Sequence, residues 1–158
     1  CRSDHRAATL GHMTLFDQVL LWLHIAFSMF TLGPVAAFTG ATPRYIRQRN
    51  VEVVRYLHRG TRIFGVLTVG VFVFGALLGR GFLGAPYMSV SMTLFIVSLV
   101  LLVVIDRDQA TAVRVLSNDS PEDDAKAQTG RIAALGGLVA LIWLVILVLM
   151  VWGSPPQA

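Results

Sequence analysis

The chain reads as an all-α, integral-membrane four-helix bundle, and three observations lead there. Four apolar runs, Leu15–Phe38, Ile63–Gly79, Val90–Ile105 and Ile132–Trp152, are each close to the ~17–25 residues a helix needs to cross a bilayer core. Hydrophobic residues make up 55% of the 158 and charged residues 14%, with a mean hydropathy of +0.68. A soluble domain carries about 25% charged residues. The few charges that remain gather between the runs, and they do so unevenly. Four spans and their connections fill the chain, which leaves no room for a separate soluble enzyme domain.

The first twelve residues, CRSDHRAATLGH, are polar and have no apolar period. His12-Met13 matches the dipeptide left by a common cloning site, so residues 1–12 read as a vector-derived tail and 13–155 as one four-span domain. A native polar tail and a lipidated Cys1 are the alternatives. Without Arg2, Arg6 and Asp4, Lys+Arg falls from 13 to 11, Asp+Glu from 9 to 8, and net charge from +4 to +3. Cys1 is the single cysteine, which excludes disulfides within the chain and thiolate metal sites.

The first span carries most of the polar content. Asp17, His24, Ser28 and Thr31 follow one another at +7, +4 and +3, which places them on one helical stripe. Pro34, after Gly33, removes a backbone hydrogen bond and is expected to kink the helix. The next segment continues as helix. Val51, Val54 and Leu57 form an apolar face, while Arg55, Arg59 and Arg62 form a basic one. The second span contains Gly65, Gly70, Gly75 and Gly79. The fourth contains Ala133-x-x-x-Gly137 and Gly136-x-x-x-Ala140. Lipid gives helices no hydrophobic reason to associate, so such small residues read as packing seams, within one bundle or across a homodimer. Asp106–Ser117 extends the third span, and Ser120-Pro121-Glu122-Asp123 signals the start of the fourth helix.

The loops assign an orientation. Arg44, Arg47, Arg49, Arg55, Arg59 and Arg62 follow the first span, and Arg107, Arg114, Lys126 and Arg131 follow the third. The second connection has only Arg80 and the C-terminal tail has no Lys or Arg. Positively charged loops stay cytoplasmic. Both termini are therefore expected outside and both long loops inside, in a bacterial cytoplasmic (inner) membrane. The basic charge then belongs with lipid headgroups rather than nucleic acid. Arg44, Arg47, Arg55, Arg59 and Arg62 are the expected contacts for headgroups or another anion.

His24 is the one ionisable side chain deep in any span, and such a residue is a functional-site hypothesis by default. It reads as a haem or metal ligand, as part of a proton relay, or as a neutral histidine bonded to a carbonyl or to Ser28. Ser91, Ser98 and Thr68 are placed to meet its stripe inside the bundle. His58, beyond the far end of the second span, stands roughly 20 Å or more away in height at 1.5 Å per residue, too far to share a metal. No G-x-S-x-G, H-E-x-x-H, P-loop or G-x-G-x-x-G occurs.

The segments Trp22–Pro34 (WLHIAFSMFTLGP), Pro43–Tyr45 (PRY) and Tyr56–Gly65 (YLHRGTRIFG), with Leu141-Ile142-Trp143 in the last span, resemble a family of small four-helix membrane proteins of unknown function that is frequent in actinobacteria. That resemblance implies a four-helix fold and no particular activity. A more distant similarity, carried by His24 and loosely by Arg59, is to the CopD copper-resistance membrane domain and to the haem-associated membrane protoporphyrinogen oxidase of bacteria. It implies a metal or haem at His24, although the further intramembrane histidines and acids of such sites are missing. Three hypotheses follow. The first is a non-catalytic binding protein or accessory subunit, working with membrane lipids as a homodimer or in a larger membrane complex. The second is a haem- or metal-dependent oxidoreductase using His24. The third is a small oligomeric transporter or channel.

Overall fold

The computed structural model describes residues 15–118 and 122–153, with no side-chain account of Phe82 or 122–127. Four α-helices follow in order: α1 (Leu15–Arg47), α2 (Val51–Leu78), α3 (Pro86–Ser117) and α4 (Glu122–Trp152). A short 3₁₀ turn, Gly79–Phe82, leads out of α2. Each of the four is long and apolar enough to cross a membrane. The helices overrun the apolar runs that predict them, because the charged segments between the runs are helical too. The connection between α1 and α2 shrinks to residues 48–50. The long loops expected on the basic side are thus mainly helical extensions of the spans. Pro121 and Ser120, the expected start signal of α4, lie outside the described residues, as do residues 1–14.

The α1–α2 turn is built without glycine. Arg49 N–H reaches Ile46 O at 3.0 Å and Asn50 N–H reaches Tyr45 O at 3.1 Å, the paired bonds of a Schellman motif. Its left-handed position is held by Arg49, at φ 52°. Asn50 then caps α2, its side chain accepting from Val53 N–H at 3.2 Å. Helix α1 runs unbroken through Pro34 and Pro43.

Consecutive helices run antiparallel, and α1 packs beside α2 and α4 while α3 packs beside the same two. The start of α1, the end of α2, the start of α3 and the end of α4 therefore share one end, the terminal end. The opposite end is Arg-rich. Buried positions on α3 are Met88, Ser91, Phe95, Ser98, Leu102, Ile105, Gln109 and Ala112. Their alternating spacing of three and four is the pattern of near-parallel helices packing side by side. A core of Val35, Ile46, Val54, Leu102, Ile105, Ala112, Ile132 and Val139 joins all four helices in the Arg-rich half. The outside is apolar: Trp22 is 69% exposed, Met29 73%, Val66 67% and Leu147 63%.

Small residues divide between inside and outside. A Cβ on Gly75 would stand 2.9 Å from His24 Cε1, and one on Gly70 would stand 3.1 Å from the Phe27 ring, so these two glycines form a seam between α1 and α2. A Cβ on Gly136 would meet Thr39 Oγ1 of α1 at 3.6 Å. Ala133, Gly137 and Ala140, by contrast, are exposed, and a Cβ on Gly137 would meet nothing within 4 Å. Gly65 also faces open space.

Candidate functional site

Helix α1 brings His24 against α2, where the missing side chain of Gly75 makes room for the ring. His24 Nδ1 lies 3.0 Å from Val71 O. A carbonyl accepts only, so Nδ1 carries a proton; in the neutral ring Nε2 then keeps the lone pair. The expected bond from His24 to a backbone carbonyl is present, and it suits a structural histidine and a ligand histidine alike. Ser28 is not its side-chain partner: Ser28 Oγ donates to the His24 backbone carbonyl at 2.7 Å, within its own helix. Thr31 is buried lower on the same stripe. Asp17 sits at the terminal end, 3.6 Å from Arg80 Nη2, and the Arg80 guanidinium stands 5.7 Å from the centre of the Phe16 ring.

The structure brings the other expected polar residues into the interior without joining them to His24. Thr68 Oγ1 donates to Phe64 O at 2.8 Å, within α2. Ser98 Oγ donates to Phe95 O at 2.7 Å and accepts from Trp143 Nε1 at 3.1 Å, which ties α3 to α4. Ser91 Oγ is buried with no hydrogen-bond partner among the described residues.

The largest of the fully buried polar side chains among the described residues escaped the sequence reading. Gln109 on α3 is 0% exposed, and its Nε2 donates to Thr42 Oγ1 of α1 at 2.8 Å and to Thr61 Oγ1 of α2 at 3.3 Å. Thr42 in turn donates to Phe38 O at 2.7 Å. One amide therefore joins three helices. The available signal was the 3–4 spacing of Leu102, Ile105, Gln109 and Ala112, which carries the inward stripe of α3 beyond the end of its apolar run.

Near this level the chain turns polar. His58 Nδ1 stands 3.3 Å from Asp106 Oδ1, an ion-pair distance at which neither atom is aligned for a hydrogen bond. Arg131 Nε of α4 lies 3.0 Å from Asp108 Oδ2 of α3. Arg44 and Arg47 of α1 and Arg55, Arg59 and Arg62 of α2 are all exposed in this half of the bundle. Arg55 lies 3.6 Å from Glu52, a pair so open to solvent that it adds little. His58 lies thirteen residues before Val71 on α2, so it stands roughly 20 Å from His24 along the helix. The two histidines do not share a site. Among the described residues no group of three or more His, Cys, Asp or Glu side chains is placed to hold a metal ion.

A cavity of about 260 Å³ lies between α2 and α3 on the outside of the bundle. Arg62 and Asp106 mark its Arg-rich end, and Gly65, Val66, Val69 and Val103 line the part above. His24 does not line it. No protein-family model, curated protein or solved structure matches this chain.

Proposed function

We propose that this chain is a multi-pass protein of the bacterial cytoplasmic membrane, with both termini outside, acting as a small binding protein or accessory subunit without a catalytic centre of its own. The observation that carries the reading is the use made of the interior polar side chains. His24 ties α1 to α2, Gln109 ties α1, α2 and α3, and Trp143 ties α4 to α3. Interhelical bonds of this kind help hold membrane bundles together in place of a hydrophobic force. The distribution of Lys and Arg supports the orientation, with the exposed arginines of α1 and α2 on the cytoplasmic side among anionic headgroups. The outward small residues Ala133, Gly137 and Ala140 suit close contact with another membrane helix, from a second copy or a larger complex. Membership in the four-helix family that the motifs resemble belongs to the same proposal.

One observation favours a haem- or metal-dependent oxidoreductase as the second reading. Metal-bound histidines commonly donate their other ring nitrogen to a carbonyl, as His24 does to Val71. Visible absorption and metal content of the protein, purified from cells supplied with haem, separate the two. The first reading expects a colourless, metal-free protein. A Soret band or stoichiometric metal that is lost in His24→Ala would replace it with the second.

A further inference from the structure

We infer that the cavity between α2 and α3 is a binding site for one phospholipid whose headgroup carries both a phosphate and a primary amine, of the phosphatidylethanolamine type. The inference rests on the reading of the helices as bilayer spans.

The cavity has the polarity of a lipid. Along α2 it runs from Thr61 to Val69 and along α3 from Asp106 back to Leu99, roughly 10–12 Å at 1.5 Å per residue. Its upper walls are hydrocarbon. Arg62 and Asp106 stand together at the lower end, each immediately beyond the apolar run of its helix and so at the level where hydrocarbon gives way to headgroups. The volume of about 260 Å³ equals roughly nine water molecules at ~30 Å³ each. That is room for a headgroup or a stretch of one chain, with the remainder of the lipid in the bilayer.

The charges select among headgroups. Arg62 is exposed and makes no ion pair with a described residue, so its guanidinium is open to a phosphate. Asp106 is 32% exposed as a side chain; its Oδ1 is buried 3.3 Å from His58 Nδ1, so the exposed remainder of the carboxylate is the part a ligand in the cavity meets. A primary ammonium supplies three N–H donors for that carboxylate. A headgroup with a phosphate alone would meet Arg62 but bring its negative charge near the Asp106 carboxylate, a repulsion that a headgroup ammonium offsets. A choline headgroup is zwitterionic but has no N–H to donate. Gly65 completes the site: a Cβ there would have no atom within 4 Å, so the absent side chain is part of the open space.

The test uses the full chain. Flotation with liposomes comes first, and failure to insert overturns both the span reading and this inference. Inserted protein is then transferred to detergent and its lipid adducts are counted by native mass spectrometry with phosphatidylethanolamine, phosphatidylcholine and phosphatidylglycerol offered equally. The expected result is one retained phosphatidylethanolamine per chain, about ten-fold preferred over either competitor, as one charge-assisted contact would give. Gly65→Leu fills the groove and should abolish the adduct with helix content unchanged. Arg62→Gln, at an exposed position, should weaken it about ten-fold. Asp106→Asn should move the preference toward phosphatidylglycerol. Equal adducts with all three lipids, or an adduct unchanged in Gly65→Leu and Arg62→Gln, would overturn the site while leaving the span reading intact.

Discussion

The His24 ring fills the space that a side chain at position 75 would need. Gly75→Ala would bring a Cβ to 2.9 Å from Cε1, and the ring cannot yield without giving up its bond to Val71. We expect Gly75→Ala to destabilise the bundle, and His24→Ala to relieve most of that cost by vacating the space. A double-mutant cycle of unfolding in micelles should give a coupling of about 1 kcal/mol. Strictly additive losses would show that ring and glycine do not meet. His24 could be singled out from sequence because an ionisable residue deep in an apolar run is conspicuous. Its partner could not, since any backbone carbonyl accepts. Gln109 was missed for the opposite reason. It lies beyond the apolar run ending at Ile105, among Asp106, Arg107 and Asp108, where an amide looks like a solvated loop residue. Only the continued packing of α3 against α1 and α2 makes it interior.

The four helices follow from apolar length, and their extension past the spans follows from the split apolar and basic faces of Val51–Arg62. The turn between α1 and α2 does not follow from composition. Arg-Gln-Arg-Asn contains neither Gly nor Pro, yet it forms a complete Schellman motif. A left-handed residue with a Cβ is costly, by about 1 kcal/mol or more. Arg49→Gly should therefore stabilise the α1–α2 hairpin by about 1 kcal/mol, read as a higher unfolding midpoint in micelles. No gain would mean that contacts of the Arg49 side chain compensate for its backbone. Which glycines form seams was equally hidden. Gly75 and Gly65 sit in the same helix with similar neighbours in sequence, but one faces α1 and the other opens onto the cavity. That difference is set by the rotation of α2 against its partners, which the spacing of small residues alone leaves open.

Taken whole, the described part of the molecule is apolar outside and tied together by polar contacts within, with most of its acidic and basic side chains at the Arg-rich end and the Asp17–Arg80 pair at the other. Asp108 and Arg131 join α3 to α4 there, and His58 and Asp106 bring α2 to α3. The orientation we propose puts this end, with the α1–α2 turn, in the cytoplasm, and the connection between α2 and α3 outside. Gln48 and Gly84 are exposed at these two opposite ends, and Gly84 has open space around it. In a Cys1→Ser background, intact spheroplasts are treated with a membrane-impermeant thiol reagent. Gly84→Cys should label at once, and Gln48→Cys only after the membrane is opened. The reverse pattern would contradict the orientation, and equal labelling of both in sealed cells would contradict the membrane-spanning bundle itself.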